Sequence, residues 1–174
     1  MLEPLPFESA VENDVLPRAS LVLPAGALGN RAAIWMGGAR ALRGVELHPH
    51  ALAGAWILDA AGDISFAHRA AATRTLDCVF DDIEEAPPGY QRILQIVGHA
   101  AEAARGCQPD RPVSLFIFCA QGLNRSGLLT GLILRALGVP GREAVERIRA
   151  ARPGSLANQA YERLLIEEIG RAHV

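Results

Sequence analysis

Lysine is absent from this chain of 174 residues, and all 17 of its basic residues are therefore arginine. Any fixed positive charge in a binding site must be a guanidinium, the group that holds phosphate through two parallel hydrogen bonds. An excess of basic charge is also missing, because the formal net charge is -2. Nothing in the overall charge draws the chain toward nucleic acid or an anionic membrane surface.

Cysteine and long apolar runs are scarce as well. The three cysteines, Cys78, Cys107 and Cys119, form no close-spaced pair, which argues against a zinc site and against a disulfide framework. No apolar run approaches the roughly 20 residues that span a bilayer, and the acidic, proline-broken start lacks the pattern of a secretion signal. We therefore expect a cytoplasmic, soluble protein with reduced thiols, no metal, no cofactor and no membrane partner.

The chain also lacks internal repeats and low-complexity tracts, and its length suits one domain with a sizeable core. We expect residues 1–174 to form a single domain, with an irregular lead-in over residues 1–19. SLVLPAGALGNRAAIWMGG predicts two strands around a glycine turn, and AWILDAAGD predicts a strand that runs into a turn. TRTLDCVFDD alternates, with Leu76, Cys78 and Phe80 on one face, whereas PVSLFIFCA is apolar at consecutive positions, as in a central strand.

Four further segments carry the pattern of helices. Apolar residues recur at helical spacing over residues 89–105, and Gly106 ends this helix. SGLLTGLILRALG is apolar nearly all round and predicts a buried helix, whereas GREAVERIRAARPG is amphipathic. Asn158 is suited to cap a last helix, NQAYERLLIEEIGRA, by accepting a backbone N–H hydrogen bond. The order of these elements predicts an α/β fold in which helices cover both faces of a central sheet.

The segment FCAQGLNRSG places Cys119 six positions before Arg125. This spacing alone is weak evidence, because chance often supplies it in an arginine-rich chain. Its context is more specific, since Cys119 ends the most apolar strand and a buried helix begins near Arg125. A tight loop between a strand and a helix aims backbone N–H groups and the positive end of the helix dipole at one point. The segment therefore predicts a phosphate cradle.

Each side chain of this cradle has a distinct chemical role. Arg125 is suited to hold two phosphate oxygens, and the same positive field favours the thiolate form of Cys119, a nucleophile. Ser126 is suited to donate a hydrogen bond to the sulfur, and Gly122 permits the closed loop. The predicted phosphate-binding residues are Ala120, Gln121, Gly122, Leu123, Asn124 and Arg125. The alternative is that Cys119 is simply a small apolar residue at the end of a strand.

CAQGLNRSG resembles the phosphate-binding loop of the cysteine-dependent protein tyrosine phosphatases, and more specifically that of their dual-specificity branch. RAARPGSLANQAYERLL resembles the helix–Arg-Pro–Asn–helix ending of that branch, and AAIWMGGARAL resembles its opening strand and turn. The resemblance covers roughly residues 30–170. It implies a central, mostly parallel sheet with helices on both faces, and the hydrolysis of phosphomonoesters through a cysteinyl-phosphate intermediate with Cys119, Arg125 and Ser126 as catalytic residues.

The resemblance also implies an aspartic acid that protonates the leaving oxygen and then activates water. The family places it just after the strand that precedes the helix leading to the catalytic strand, which points to DCVFDDIEEAPP. Asp82 is the first choice, because the alternation of Leu76, Cys78 and Phe80 continues to it, and Asp81 is the second. The alternative is that both are solvated loop carboxylates.

The chain departs from the family pattern at two positions. Phe118 stands where the family usually has histidine, which predicts a Cys119 thiol that ionises less readily than in histidine-bearing relatives. With Asn124, the segment GLNRSG resembles the loop of family members that remove phosphates from RNA 5′ ends. The acidic balance of the chain argues against a nucleic acid partner. The expected substrate is phosphotyrosine or phosphoserine/threonine in a protein, or a small phosphoester. The alternatives are an RNA 5′-phosphatase and a non-catalytic phosphate-binding adaptor, and the oligomeric state is not predicted.

Two further residues are expected near the cradle. Cys78 is either a core residue or a thiol close enough to trap Cys119 as a disulfide after oxidation. Arg152 is expected to support the end of a helix, or the phosphate loop from behind.

Overall fold

The computed structural model describes residues 19–39 and 49–172. Its five strands form one sheet in the order β1-β2-β5-β3-β4. All neighbouring strands are parallel except β1 and β2, which form an antiparallel pair. The mostly parallel sheet predicted above is therefore confirmed. The strands are β1 (Ala19–Leu23), β2 (Ala33–Gly38), β3 (Ala55–Asp59), β4 (Arg74–Asp77) and β5 (Ser114–Cys119).

The central strand is β5, as its continuous apolar run predicts. Side chains alternate between the two faces of a strand, so Ile117 and Cys119 lie on one face and Phe116 and Phe118 on the other. All four are buried, because both faces of the sheet are covered. A strand covered on both faces cannot show the polar–apolar alternation of a strand at the surface.

Helices cover both faces of the sheet, but unequally. On the face of Ile117, four long helices contribute to one hydrophobic core. The opposite face, with Phe116 and Phe118, is covered by a 3-10 helix at Pro49–Leu52 and by the end of a short helix. The helices are α1 (Phe66–Ala71), α2 (Tyr90–Arg105), α3 (Arg125–Ala136), α4 (Gly141–Ala151) and α5 (Gln159–Ala172). The α1 helix was not predicted, since six residues are too few to show helical periodicity.

Two helix ends were predicted from single residues, and both are confirmed. Gly106 ends α2 with a φ of 90°, the left-handed conformation that glycine adopts without strain. Asn158 caps α5, because its side-chain oxygen accepts hydrogen bonds from the N–H groups of Ala160 at 3.0 Å and Tyr161 at 3.3 Å.

The strand predicted in TRTLDCVFDD is shorter than its alternation indicates, because β4 ends at Asp77. The alternation nevertheless continues beyond the strand, with Cys78 and Phe80 buried and Val79 exposed. The N–H of Cys78 donates to the carbonyl of Asp59 at the end of β3 at 2.9 Å, and the N–H of Phe80 donates to the carbonyl of Ala60, the next residue, at 3.3 Å. These hydrogen bonds keep the segment extended as it approaches Asp82.

The predicted lead-in over residues 1–19 lies outside the described residues except for its last residue. Ala19 is not irregular but begins β1, where it pairs with Gly37. One domain over residues 1–174 stays a prediction. Among the described residues, none of the helices has the length and apolar character needed to cross a membrane. The same part of the chain contains no cluster of three or more His, Cys, Asp or Glu side chains suited to a metal ion.

Candidate active site

The loop that joins β5 to α3 packs directly against the end of β2. Gly122 adopts a φ of 80°, and a Cβ atom on it would lie 2.3 Å from the carbonyl carbon of Gly37. A Cβ atom on Gly38 would lie 2.7 Å from the carbonyl oxygen of Gln121. Both distances are too short for a real contact, so glycine is required on each side of this approach. The role of Gly122 was predicted, whereas that of the glycines at the end of β2 was not.

The sulfur of Cys119 lies at the base of this loop. Its Sγ atom accepts a hydrogen bond from the N–H of Gly122 at 3.2 Å and lies 3.3 Å from Oγ of Ser126. The thiol donates to that hydroxyl, whereas the hydroxyl of Ser126 would donate to a thiolate. Both side chains are buried. The geometry thus brings Cys119, Gly122 and Ser126 together as the sequence predicts.

A cavity of about 270 Å³ opens above the sulfur. Its lining residues are Asp82, Cys119, Ala120, Gln121, Leu123, Asn124 and Arg125. Arg125 is the only cationic residue among them. Its Nη1 atom donates to the carbonyl of Phe80 at 3.1 Å, while its buried Nε atom has no hydrogen-bond partner in the described part of the chain. A buried guanidinium N–H without an acceptor is suited to an anion that enters the cavity.

Of the two candidate acids, only Asp82 lines this cavity. Both oxygens of its carboxylate accept hydrogen bonds, from Nδ2 of Asn124 at 3.0 Å and from Nδ2 of Asn158 at 2.9 Å. Asp81 contributes its backbone instead, because its carbonyl accepts a hydrogen bond from the hydroxyl of Tyr161 at 3.0 Å. Burial, together with the negative charge of Asp82, raises the pKa of Tyr161 to about 12, which keeps that hydroxyl protonated as a donor at neutral pH.

Solved structures with this architecture are phosphatases or proteins named for their likeness to them. Tk-PTP in its active form is 20% identical, with a TM-score of 0.61 over 89% of this chain and 97% of that one. Kinase associated phosphatase, with its catalytic-site cysteine changed to serine, is 13% identical, with a TM-score of 0.65 over 94% and 99%. The chain has the dual-specificity phosphatase fold.

A third similar structure is the human tyrosine phosphatase-like serine/threonine/tyrosine-interacting protein. It is 14% identical, with a TM-score of 0.64 over 90% of this chain and 98% of that one. No protein-family profile matches the chain, and no curated protein sequence matches it significantly. The resemblance to the dual-specificity branch is thus confirmed as a likeness of fold.

Within this fold, Arg152 supports the loop between β5 and α3 from behind. Its Nε atom donates to the carbonyl of Gly122 at 2.7 Å, and Nη2 donates to the carbonyl of Gln121 at 3.2 Å. Its Nη1 atom donates to Oγ of Ser20 on β1 at 3.1 Å. These bonds satisfy loop carbonyls on the side away from the cavity, and Arg152 itself is only 3% exposed. The prediction that Arg152 supports the loop is confirmed.

We expect Arg152→Met to lower the free energy of unfolding by about 2–4 kcal/mol, because the carbonyls of Gly122 and Gln121 lose their donor inside the protein. Urea denaturation measures this change. Arg147→Met on α4, the helix that ends just before Arg152, is the matched control, since Arg147 forms a half-exposed ion pair with Glu143 at 3.0 Å. Such a pair contributes at most about 1 kcal/mol. Equal losses in the two variants would contradict the role of Arg152.

Phe118 occupies the position where the phosphatase family usually has histidine. It lies on the face of β5 opposite to Cys119 and is fully buried. Its ring stacks on Phe116 at a centroid distance of 5.8 Å, and Phe116 stacks on Trp35 at 5.7 Å. The aromatic side chain therefore belongs to the second hydrophobic core. That the Cys119 thiol ionises less readily than in histidine-bearing relatives stays a prediction.

Cys78 is a core residue in this conformation. The N–H of Cys78 donates to the carbonyl of Asp59, and the N–H of Ala60 donates to the carbonyl of Phe118. Cys78 and Cys119 thus lie two strand spacings apart, about 9–10 Å between Cα atoms, beyond the roughly 7 Å that a disulfide allows. Burial raises the pKa of Cys78 to about 11, which makes it a poor nucleophile at neutral pH. The geometry favours the first of the two interpretations of Cys78.

Proposed function

We propose that this protein is a phosphatase that hydrolyses phosphomonoesters through a cysteinyl-phosphate intermediate, with phosphotyrosine or phosphoserine/threonine in proteins as substrates. The observation that carries the proposal is the cavity itself. It has the sulfur of Cys119 at its base, the guanidinium of Arg125 beside it and the carboxyl group of Asp82 on its wall. Nucleophile, charge stabiliser and proton donor are the three groups that this reaction requires.

In the first step, the thiolate of Cys119 attacks phosphorus, so that an S–P bond forms while the P–O ester bond breaks. Arg125 holds two of the phosphoryl oxygens, and loop N–H groups at the start of α3 stabilise their charge. Asp82 gives its proton to the leaving oxygen, which departs as a neutral alcohol or phenol.

In the second step, water attacks the phosphorus of the intermediate. Asp82, now a carboxylate, takes a proton from this water, and the S–P bond breaks to release inorganic phosphate. The hydroxyl of Ser126 is 3.3 Å from the sulfur and donates a hydrogen bond to the thiolate that leaves. The thiolate is thereby restored for the next turnover.

The charge of the cavity supports a monophosphate rather than a polyanion. Arg125 is the only cation among the lining residues, and the other loop side chains are neutral. A 5′-triphosphate brings several negative charges, which would need more than one guanidinium to compensate them. Among the lining residues, Asn124 alone resembles the RNA 5′-phosphatase loop, and the charge of the cavity favours the protein phosphatase.

A phosphate-binding adaptor is the second candidate. The likeness to the human tyrosine phosphatase-like serine/threonine/tyrosine-interacting protein supports it, because that protein is named for interaction. In this chain, the cysteine, arginine and serine of the loop are all present, which favours catalysis.

Phosphate release from four substrates separates these candidates. The substrates are p-nitrophenyl phosphate, a phosphotyrosine peptide, a phosphoserine peptide and 5′-triphosphorylated RNA. We expect turnover of the first two at least, and no turnover after Cys119→Ser. Binding of phosphate without any turnover would identify an adaptor, and a preference for the RNA would identify the RNA phosphatase.

We expect Asp82→Asn to lower kcat about 100-fold with phenyl phosphate, whose leaving group needs a proton, and less than about 10-fold with p-nitrophenyl phosphate. Initial rates with a series of aryl phosphates measure this dependence on the leaving group. Asp81→Asn is the matched control, because the Asp81 side chain is not among those that line the cavity. A larger loss in Asp81→Asn would transfer the role to Asp81, and equal losses across the substrates of Asp82→Asn would exclude Asp82 as the acid.

A further inference from the structure

Asn124 occupies the N-cap position just before α3, but its side chain does not cap that helix. At such a position, the asparagine oxygen ordinarily accepts a hydrogen bond from an N–H group of the first turn. Here the carboxamide makes no such bond, so it does not occupy the N–H groups of the first turn. These groups stay available to an anion at the start of the helix.

The carboxamide of Asn124 joins two other segments instead. Its Nδ2 atom donates to Oδ2 of Asp82 at 3.0 Å, and its Oδ1 atom accepts from the N–H of Asn158 at 3.0 Å. Asn158 completes the arrangement, because its own Nδ2 atom donates to Oδ1 of Asp82 at 2.9 Å and to the carbonyl of Ile83 at 2.8 Å. The side chains of Asp82, Asn124 and Asn158, together with the backbone N–H of Asn158, form a closed set of hydrogen bonds, which we call the amide clamp.

The amide clamp fixes a side chain that would otherwise be free to rotate. Asp82 is an exposed residue in a segment without helix or strand, between β4 and α2. Holding one rotamer of such a side chain costs conformational entropy, which hydrogen bonds to both carboxylate oxygens offset. A proton donor must keep its geometry to within a fraction of an ångström for an efficient transfer. The clamp meets that requirement because Asn124 and Asn158 each hold one oxygen of the Asp82 carboxylate.

We propose that Asn124 is a positioning residue that holds Asp82 over the phosphate cradle, with Asn158 as the second arm of the clamp. This inference rests on the proposed function, in which Asp82 is the proton donor. Both ends of the Asn124 carboxamide are engaged within the protein, which supports a role in placing the acid over a role in recognising RNA. A serine at this position has a shorter side chain, too short to span the same two partners.

A double-mutant cycle tests whether Asn124 acts through Asp82. We expect Asn124→Ala to lower kcat about 10-fold with phenyl phosphate and less than about 2-fold with p-nitrophenyl phosphate, with little change in KM. In the Asp82→Asn background, the same substitution should cause no further loss, because the residue that it positions no longer donates a proton. Equal losses in both backgrounds, or equal losses with both substrates, would overturn the proposal.

Asn158→Ser tests the other arm. Serine retains an oxygen that caps α5 but loses the amide donor to Asp82 and Ile83. We expect the same dependence on the leaving group as in Asn124→Ala, with the fold intact by thermal melting. A loss of the same size with both substrates would show that Asn158 serves only the helix.

Hydrogen exchange supplies a readout that does not need turnover. Backbone amides of residues 79–85 should exchange faster in Asn124→Ala than in the unmodified protein, because the clamp is open. Gln91→Ala, which removes an exposed amide side chain from α2, is the control and should leave this exchange unchanged. Unchanged exchange in Asn124→Ala would overturn the clamp. An absence of turnover on every phosphomonoester, with faster exchange in Asn124→Ala, would refute the proposed function and retain the clamp.

Discussion

Cys119→Ser is expected to reduce phosphate release by at least about 10⁴-fold with every substrate, while the protein still binds phosphate. A serine hydroxyl stays protonated near neutral pH and is a far weaker nucleophile than a thiolate. Oxygen replaces sulfur with little change in shape. The serine hydroxyl can therefore accept the hydrogen bond from the N–H of Gly122 and contact Ser126 as the sulfur does. Initial rates measure the loss, and calorimetry with phosphate or tungstate measures the binding.

Cys107→Ser is the matched control for this variant. It makes the same chemical change at an exposed cysteine and should leave the rate within about 2-fold of the unmodified protein. Rapid acid quenching during turnover should also leave phosphate on the peptide that contains Cys119 and on neither other cysteine peptide. Undiminished phosphate release by Cys119→Ser would refute the cysteinyl-phosphate mechanism as a whole.

The parts of the fold and site that the sequence predicts are those determined by neighbours in the chain. The apolar run of β5, the loop glycine and the buried helix α3 follow each other within a short stretch, so local patterns place Cys119, Arg125 and Ser126 together. The two helix ends at Gly106 and Asn158 are equally local, because each depends on the backbone of the same turn.

The parts that the sequence does not predict depend on strand register. In the pairing of β2 with β5, Gly38 lies opposite Cys119, so the loop that leaves β5 must pass over the end of β2. Only this register explains why a side chain is excluded at Gly38. The amide clamp has the same origin, since Asn124 and Asn158 are 42 and 76 residues away from Asp82 in the chain.

The alternation in TRTLDCVFDD shows how a correct pattern can predict a wrong boundary. The period of two continues to Phe80 because extended chain continues, but the regular strand ends at Asp77. The hydrogen bonds from Cys78 and Phe80 are too irregular for a strand, but they still keep alternate side chains on the same face of the segment. That parity is what singled out Asp82 over Asp81, and the cavity lining agrees with it.

Arg125→Lys is expected to lower kcat about 10³-fold with p-nitrophenyl phosphate, although the positive charge is retained. A guanidinium donates two parallel hydrogen bonds to two phosphoryl oxygens, whereas an ammonium is a point charge without this planar, two-pronged geometry. Lysine would also lose the hydrogen bond that Nη1 of Arg125 donates to the carbonyl of Phe80 at 3.1 Å. This bond holds the segment that carries Asp82, because Phe80 precedes Asp82 by two residues. Initial rates should therefore show a lower kcat, and calorimetry should show weaker binding of tungstate.

Arg142→Lys on α4 is the matched control, because it makes the same exchange at an exposed position and should leave kcat unchanged. A loss of less than about 10-fold in Arg125→Lys would show that charge alone suffices. A loss of about 10³-fold would instead show that the planar geometry of the guanidinium is required. That geometry also lets Arg125 donate to the carbonyl of Phe80, near Asp82. In a chain that contains no lysine, this variant tests directly what the guanidinium adds beyond its charge.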